Sequence, residues 1–131
     1  MTEKNITELL IEIKKEALAK YSKFHVAAIL VTDNNELITG FNIECTSYGL
    51  TICAERVALF KALTEGHRKF QKIYVMADGE EPCPPCGACR QVLMDYAPGI
   101  DVIMVTEDGL RKQVTLAELL PYAFKDENLH F

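Results

Sequence analysis

The pattern of apolar and polar residues divides the chain into alternating helices and strands. Between residues 7 and 20, apolar positions recur at helical spacing with Lys14, Lys15 and Glu16 outside the apolar stripe, which predicts an amphipathic helix. Apolar runs, helix-forming segments and turn residues predict the other elements: strands over 26–31, 36–42, 72–77, 101–106 and 111–114, and helices over 53–63, 87–96 and 116–120. This order indicates a layered α/β domain with a largely buried sheet.

Composition and charge limit the classes of function. The 131 residues suit one domain over 1–131, and 49% hydrophobic with 25% charged residues excludes disordered and low-complexity chains. The 14 basic and 19 acidic residues give a net charge of −5, which argues against nucleic acid as a partner. No apolar run reaches the length of a membrane span, and the N-terminus lacks signal-peptide features. We therefore expect a cytoplasmic protein that binds a small molecule of modest charge and contacts neither nucleic acid nor membrane.

The five cysteines indicate a metal site or catalysis before disulfides. Cys86 and Cys89 form a Cys-x-x-Cys motif at the start of the helix over 87–96, and Cys53 stands at the start of the helix over 53–63. Thiolates are preferred zinc ligands, and three protein ligands leave one tetrahedral position open, as in catalytic zinc sites. Helix N-termini also favour thiolate over thiol. The spacing therefore predicts a zinc ion held by Cys53, Cys86 and Cys89.

Cys83 leaves a closed site as an alternative. Cys83-Pro84-Pro85-Cys86 is a second Cys-x-x-Cys motif, and four thiolates would leave no open position on zinc. Such a chain would be a non-enzymatic zinc domain. We disfavour this alternative because Pro84 and Pro85 have no backbone N–H to donate to a cysteine sulfur.

Glu55 follows Cys53 by two residues. On its own it would be a first-turn acid that the helix dipole stabilises by a fraction of a kcal/mol. Beside a water molecule at a zinc site, it could take the proton of this water and pass it to a substrate. A Cys-x-Glu followed by Pro-Cys-x-x-Cys is the known signature of zinc-dependent nucleobase deaminases.

Five blocks of sequence extend this signature, and in them the chain resembles the small homotetrameric zinc-dependent cytidine deaminases. The blocks occur in family order and span nearly the whole chain: residues 21–24, 40–44, 47–56, 85–93 and 119–124. The resemblance implies a three-layer fold with a central five-stranded mixed sheet flanked by helices. It also implies a homotetramer with one Zn²⁺ per subunit.

The resemblance further implies roles for single residues. Cys53, Cys86 and Cys89 would hold zinc, Glu55 would shuttle protons, and Arg56 would donate to the zinc thiolates and offset their charge. The residues implied in substrate binding are Phe24, Asn42, Glu44, Ala54 and Phe124. Asn42 and Glu44 would bond the ribose 3′-hydroxyl, and Phe124 would pack on the pyrimidine in a neighbouring subunit. Without the resemblance, the two phenylalanines would be core residues and the two polar residues a solvated strand end.

The implied reaction is hydrolytic deamination of cytidine and 2′-deoxycytidine to uridine and 2′-deoxyuridine in pyrimidine salvage. His25-Val26-Ala27-Ala28 stands where the family has Pro-Val-Gly-Ala, and Cys45 stands where it has asparagine. These departures leave open another aminopyrimidine nucleoside, such as blasticidin S, as the substrate. A polynucleotide-editing deaminase is a further alternative, but the sequence lacks the basic and aromatic residues that contact single strands.

Overall fold

A computed structural model describes residues 2–129. Within this range the helices and strands are α1 Glu3–Lys15, β1 Val26–Thr32, β2 Leu37–Phe41, α2 Ala54–Thr64, β3 Phe70–Ala77, α3 Gly87–Tyr96, β4 Asp101–Val105, β5 Arg111–Thr115 and α4 Leu116–Leu119. Two short 3₁₀ turns, which the apolar pattern did not predict, lie at Tyr48–Leu50 and Asp126–Asn128. The predicted elements are therefore all present, with ends that differ by a few residues.

The strands form one mixed sheet in the order β2-β1-β3-β4-β5. β3 and β4 are parallel, and the other neighbours are antiparallel. β1 and β2 form a hairpin, whose turn places Asn35 at a φ of 67°. Asparagine tolerates this left-handed conformation better than most residues. The five-stranded mixed sheet that the resemblance implied is thus confirmed.

Helices cover both faces of the sheet, which explains why β1 is apolar throughout. Its side chains alternate between two cores: Ala28 and Leu30 lie in the core with α2 and α3, and Ala27 and Ile29 lie in the core with α1. Burial on both faces removes the polar alternation of a half-exposed strand. The result is the expected three-layer arrangement.

The structure corrects the prediction for α1. The helix spans Glu3–Lys15 instead of residues 7–20, and the Thr2 side chain caps it by accepting from the Asn5 backbone N–H at 3.1 Å. Lys14, which we expected outside the apolar stripe, is only 7% exposed. Its ammonium pairs with Asp78 at 2.7 Å and with Glu107 at 2.9 Å. Partners that are distant in sequence therefore make this burial possible.

Gly40 determines how closely β2 approaches α2. A Cβ atom at this position would lie 2.5 Å from the Ala54 carbonyl oxygen and 2.7 Å from the Ala58 backbone nitrogen. Since Cβ atoms do not approach backbone atoms this closely, only glycine fits here without a shift of the helix. The contact lies against the first turn of α2, where Cys53 and Glu55 are located.

Candidate active site

Three cysteine thiols converge where α2 and α3 begin. Cys53 is the N-cap residue of α2, Cys86 is the N-cap residue of α3, and Cys89 lies in the first turn of α3. The Sγ atoms of Cys53 and Cys86 are 3.7 Å apart, those of Cys86 and Cys89 are 3.3 Å apart, and all three lie within 4.8 Å of one another. Among residues 2–129 this is the one group of three or more side chains placed to share a metal ion.

The fourth cysteine of the double motif lies outside this group. The Cys83 Sγ is 3.6 Å from the carbonyl oxygen of Pro84, and all five cysteines are free thiols. Burial, together with the charge of Glu55, raises the pKa of Cys83 above its usual value. The geometry therefore favours three protein ligands over the closed four-cysteine alternative.

Arg56 adds positive charge to the thiol group. Its Nη2 donates to the Cys53 Sγ at 3.6 Å. Hydrogen bonds from the Cys89 thiol and from Arg56 lower the pKa of Cys53 to about 5, whereas the hydrogen bond with Cys53 and burial raise the pKa of Cys89. Three soft donors that readily carry negative charge, beside a guanidinium that partly offsets it, suit a thiophilic divalent ion such as zinc.

Glu55 is a buried carboxyl group with an unused oxygen. Its side chain is 3% exposed, and its Oε1 has no hydrogen-bond partner. Burial, and secondarily the charge of Cys53, raises the pKa of Glu55 to about 7. A carboxyl group that gains and loses a proton near neutral pH is suited to general acid–base catalysis. An unpartnered buried oxygen also indicates a ligand or water as its partner.

A cleft of about 310 Å³ connects these groups with the substrate-binding candidates. Its lining includes Cys53, Glu55 and Cys86 together with Phe24, Asn42 and Glu44. The residues that line it without having been predicted from the sequence are Ser22, Val26, Thr51, Val75, Cys83 and Pro84. Ser22 and Thr51 could have been suspected from their positions in matching blocks, and Cys83 from its Cys-x-x-Cys motif, whereas Val26, Val75 and Pro84 carry no chemical signal.

Hydrogen bonds hold the polar part of the cleft. Asn42 is 6% exposed, donates through Nδ2 to the Phe24 carbonyl oxygen at 2.9 Å and accepts through Oδ1 from the Val26 N–H at 2.9 Å. Glu44 accepts from the backbone N–H groups of Tyr21 and Ser22, each at 2.9 Å, and pairs with the Ser22 hydroxyl. These bonds, led by that of the Ser22 hydroxyl, hold the pKa of Glu44 below its usual range.

Ala54 and Phe124 are not among the residues that line this cleft. Ala54 is fully buried in the first turn of α2. The Phe124 side chain is 57% exposed, and its carbonyl oxygen accepts from the Gln91 side chain at 2.8 Å. Arg90 joins the cysteine loop to the C-terminal segment, since it donates to the carbonyl oxygens of Pro85 and Leu119, each at 2.8 Å.

None of the helices within residues 2–129 is both long and apolar enough to cross a membrane.

Comparison with known proteins agrees with the fold and with the thiol group. A profile of the cytidine and deoxycytidylate deaminase zinc-binding region matches residues 1–106. The cytidine deaminase of Halalkalibacterium halodurans is 46% identical over 92% of this chain and 92% of its own. The crystal structure of cytidine deaminase from Burkholderia pseudomallei is 40% identical, with a TM-score of 0.89 over 95% of this chain and 100% of its own. The blasticidin-S deaminase of Bacillus cereus is 28% identical over 88% of this chain and 89% of its own. By its profile match and its identity to these relatives, the chain belongs to the cytidine and deoxycytidylate deaminase family.

Proposed function

We propose that this protein hydrolyses cytidine and 2′-deoxycytidine to uridine and 2′-deoxyuridine with release of ammonia. One observation carries the proposal: two of the three grouped thiols, Cys53 and Cys86, line the same cleft of about 310 Å³ as Glu55, whose Oε1 has no partner. Relatives that are named cytidine deaminases and share up to 46% identity support the same substrate. The net charge of −5 is compatible with an uncharged nucleoside.

Cys53, Cys86 and Cys89 would hold the zinc ion of this family. Three protein ligands leave a position for water, and zinc supplies the Lewis acidity that makes this water nucleophilic at neutral pH. Arg56 contributes by donating to the Cys53 Sγ at 3.6 Å, which offsets part of the negative charge of three thiolates. This partial neutralisation would preserve the ability of the zinc ion to lower the pKa of its water.

Glu55 moves the protons of the reaction. With a pKa of about 7, its carboxylate can accept a proton from the attacking water and its carboxylic acid can return one to N3 of the pyrimidine. The oxygen of the water adds at C4; the proton of the resulting hydroxyl then goes to the amino group, the C4–N bond breaks, and ammonia leaves as the C4 carbonyl forms. Burial of the carboxyl prevents bulk water from competing for these protons.

Phe24, Asn42 and Glu44 would bind the nucleoside. Glu44 is an anionic acceptor and Asn42 keeps one N–H near it, with Nδ2 3.5 Å from the Glu44 Oε2. This pair suits a ribose hydroxyl, which both donates and accepts. Phe24 is 42% exposed and offers an apolar face at the same cleft. Ala54 stands between Cys53 and Glu55 in the chain and is fully buried in the first turn of α2.

The three departures from the family pattern, at His25, Ala27 and Cys45, do not favour another substrate, because none of these residues lines the cleft. Ala27 packs in the core with α1. The Cys45 backbone N–H instead donates to the Thr51 hydroxyl at 3.3 Å. We therefore retain cytidine as the substrate, although the relative from Bacillus cereus is named for blasticidin S.

We further propose that the active form is a homotetramer in the cytoplasm, a compartment in which thiolate ligands stay reduced. Large exposed side chains support association: Tyr48 is 72% exposed, Leu50 66% and Phe124 57%. In a tetramer, Phe124 would enter the cleft of a neighbouring subunit and pack on the base. Mixing dissociated Phe124→Ala and Glu55→Gln proteins should then restore activity after reassociation, since some clefts receive both residues. No recovery despite proven subunit exchange, or a fully active monomer, would contradict the shared cleft.

The function is tested by following ammonia release from cytidine, deoxycytidine, cytosine, CMP and blasticidin S with zinc-loaded protein. We expect turnover of the first two. Glu55→Gln should keep its zinc but lose activity by about 10²–10⁴-fold or more, the usual contribution of a general acid–base group. The proposal is wrong if folded, zinc-loaded protein releases no ammonia from cytidine or deoxycytidine, or if Glu55→Gln remains within a few-fold of the unaltered enzyme.

A further inference from the structure

A network of charged side chains lies outside the cleft, at the end of β3. The Asp78 Oδ1 accepts from the Lys14 ammonium at 2.7 Å, and its Oδ2 accepts from the His25 backbone N–H and pairs with the His25 Nδ1, each at 2.8 Å. Glu107 is a second partner of Lys14, at 2.9 Å. The Lys14 side chain is 9% exposed and that of Asp78 is 36% exposed. Such burial of a lysine requires a paired charge, and Asp78 and Glu107 supply it.

Asp78 continues the pairing of β1 with β3 by one residue. Besides the bond from the His25 N–H to its carboxylate, the Asp78 backbone N–H donates to the His25 carbonyl oxygen at 3.1 Å. His25 is therefore bonded through both of its backbone polar groups, although β1 begins only at Val26. Burial would raise the pKa of Asp78, but the bonds from Lys14 and His25 lower it to about 2, so the carboxylate remains an acceptor at any working pH.

Asn42 bonds the opposite edge of the segment that comprises residues 24–26. Its amide bonds the Phe24 carbonyl oxygen and the Val26 N–H, each at 2.9 Å. Successive residues of an extended segment point their backbone groups to alternate sides. Residues 24–26 are thus held by Asn42 on one side and by Asp78 on the other, and both Phe24 and Val26 line the cleft.

We propose that Lys14 and Asp78 are positioning residues for substrate binding: the ion pair orients the Asp78 carboxylate, which holds the backbone of His25 and thereby the cleft wall formed by Phe24 and Val26. This inference rests on the proposed function, in which that wall contacts the nucleoside. Because the Asp78 side chain is partly exposed, loss of Lys14 frees its carboxylate to rotate towards water. The thiol group and Glu55 lie on α2 and α3 and have no direct bond to this network.

The expected signature is a change in KM without a comparable change in kcat. Asp78→Ala and Lys14→Met should each raise KM by about tenfold, the size of effect expected when a hydrogen bond to a charged group is lost. The value of kcat should change by less than about threefold and zinc content should not change, because the catalytic groups are untouched. Combining the two substitutions should be no worse than Asp78→Ala alone, since both act through one carboxylate.

The experiment compares these variants with two others. Lys15→Met removes the neighbouring lysine, which is 64% exposed and pairs only with Glu12 among the described residues, and should leave KM unchanged. Lys14→Arg keeps the charge and the donors and should restore KM most of the way. Steady-state kinetics, zinc content and thermal melting are measured for each variant. Amide hydrogen exchange by NMR should be faster at His25 in Asp78→Ala and in Lys14→Met.

Two outcomes would overturn the inference. If the His25 amide exchanges faster while KM stays within about twofold, the network stabilises the fold without positioning the cleft. If kcat, KM and zinc content all deteriorate together, the effect is global. A failure of the proposed function is different, because the unaltered protein would then release no ammonia from cytidine or deoxycytidine, and this inference would fall with it.

Discussion

Replacing Glu55 by glutamine should stabilise the zinc-stripped protein at neutral and alkaline pH, although it removes activity. The carboxyl is 3% exposed, one of its oxygens has no partner, and burial raises its pKa from 4.5 to about 7. Buried groups of this kind are retained for function at the expense of stability. The glutamine side chain has the same size but cannot carry the buried charge.

The magnitude follows from proton linkage. The unfolded chain releases the proton of Glu55 near pH 4.5, whereas the folded protein keeps it until about pH 7. Between these values the folded state binds more protons, so a rise in pH lowers the free energy of unfolding, and above them the loss is constant. Each tenfold change in the ionisation constant is worth about 1.4 kcal/mol, so the full difference amounts to about 3 kcal/mol.

This pH-dependent difference in stability is measured by urea unfolding at about pH 5 and about pH 8, in the presence of a chelator and a reductant. The stability of Glu55→Gln relative to the unaltered protein should increase by up to about 3 kcal/mol between the two conditions. The buried amide adds a contribution that does not depend on pH and therefore cancels. Glu8→Gln, at an exposed position of α1, is the matched control and should show no such increase. An equal stability difference at both pH values would refute the reasoning that burial keeps this carboxyl protonated.

The thiol group and the approach of β2 to α2 provide two more predictions. Cys86→Ala should lose zinc and turnover together, whereas Cys83→Ala should keep both because its thiol lies outside the group. If metal analysis shows that Cys83→Ala loses as much zinc as Cys86→Ala, the closed four-cysteine site is supported instead. Gly40→Ala should lower stability by about 1–3 kcal/mol in thermal melts, and lower kcat, because overpacking pushes the first turn of α2. Gly99→Ala, with no atom within 4 Å of the added Cβ, should change neither quantity. Equal melting temperatures of the two variants would contradict the close packing.

Local spacing along the chain was sufficient to predict most elements and the chemical centre. Cys86 and Cys89 are three residues apart at the start of a helix, so one turn of backbone places their sulfur atoms together. Cys53 and Glu55 are likewise adjacent to a helix start. Continuous apolar runs predicted the buried strands because burial on both faces removes polar alternation.

Tertiary structure alone decided the features that depend on partners distant in sequence. Lys14 is buried because Asp78 and Glu107 meet its ammonium group, and no local pattern around α1 encodes those contacts. Asn42 is likewise placed by distant partners, because its amide bonds the backbone of residues 24 and 26. Cys83 has the spacing of a metal ligand, but the tertiary structure leaves its thiol outside the thiol group. A periodic pattern reports which face of an element is apolar, whereas the pairing of buried charges and the approach of one backbone to another are set only when the chain closes its long-range contacts.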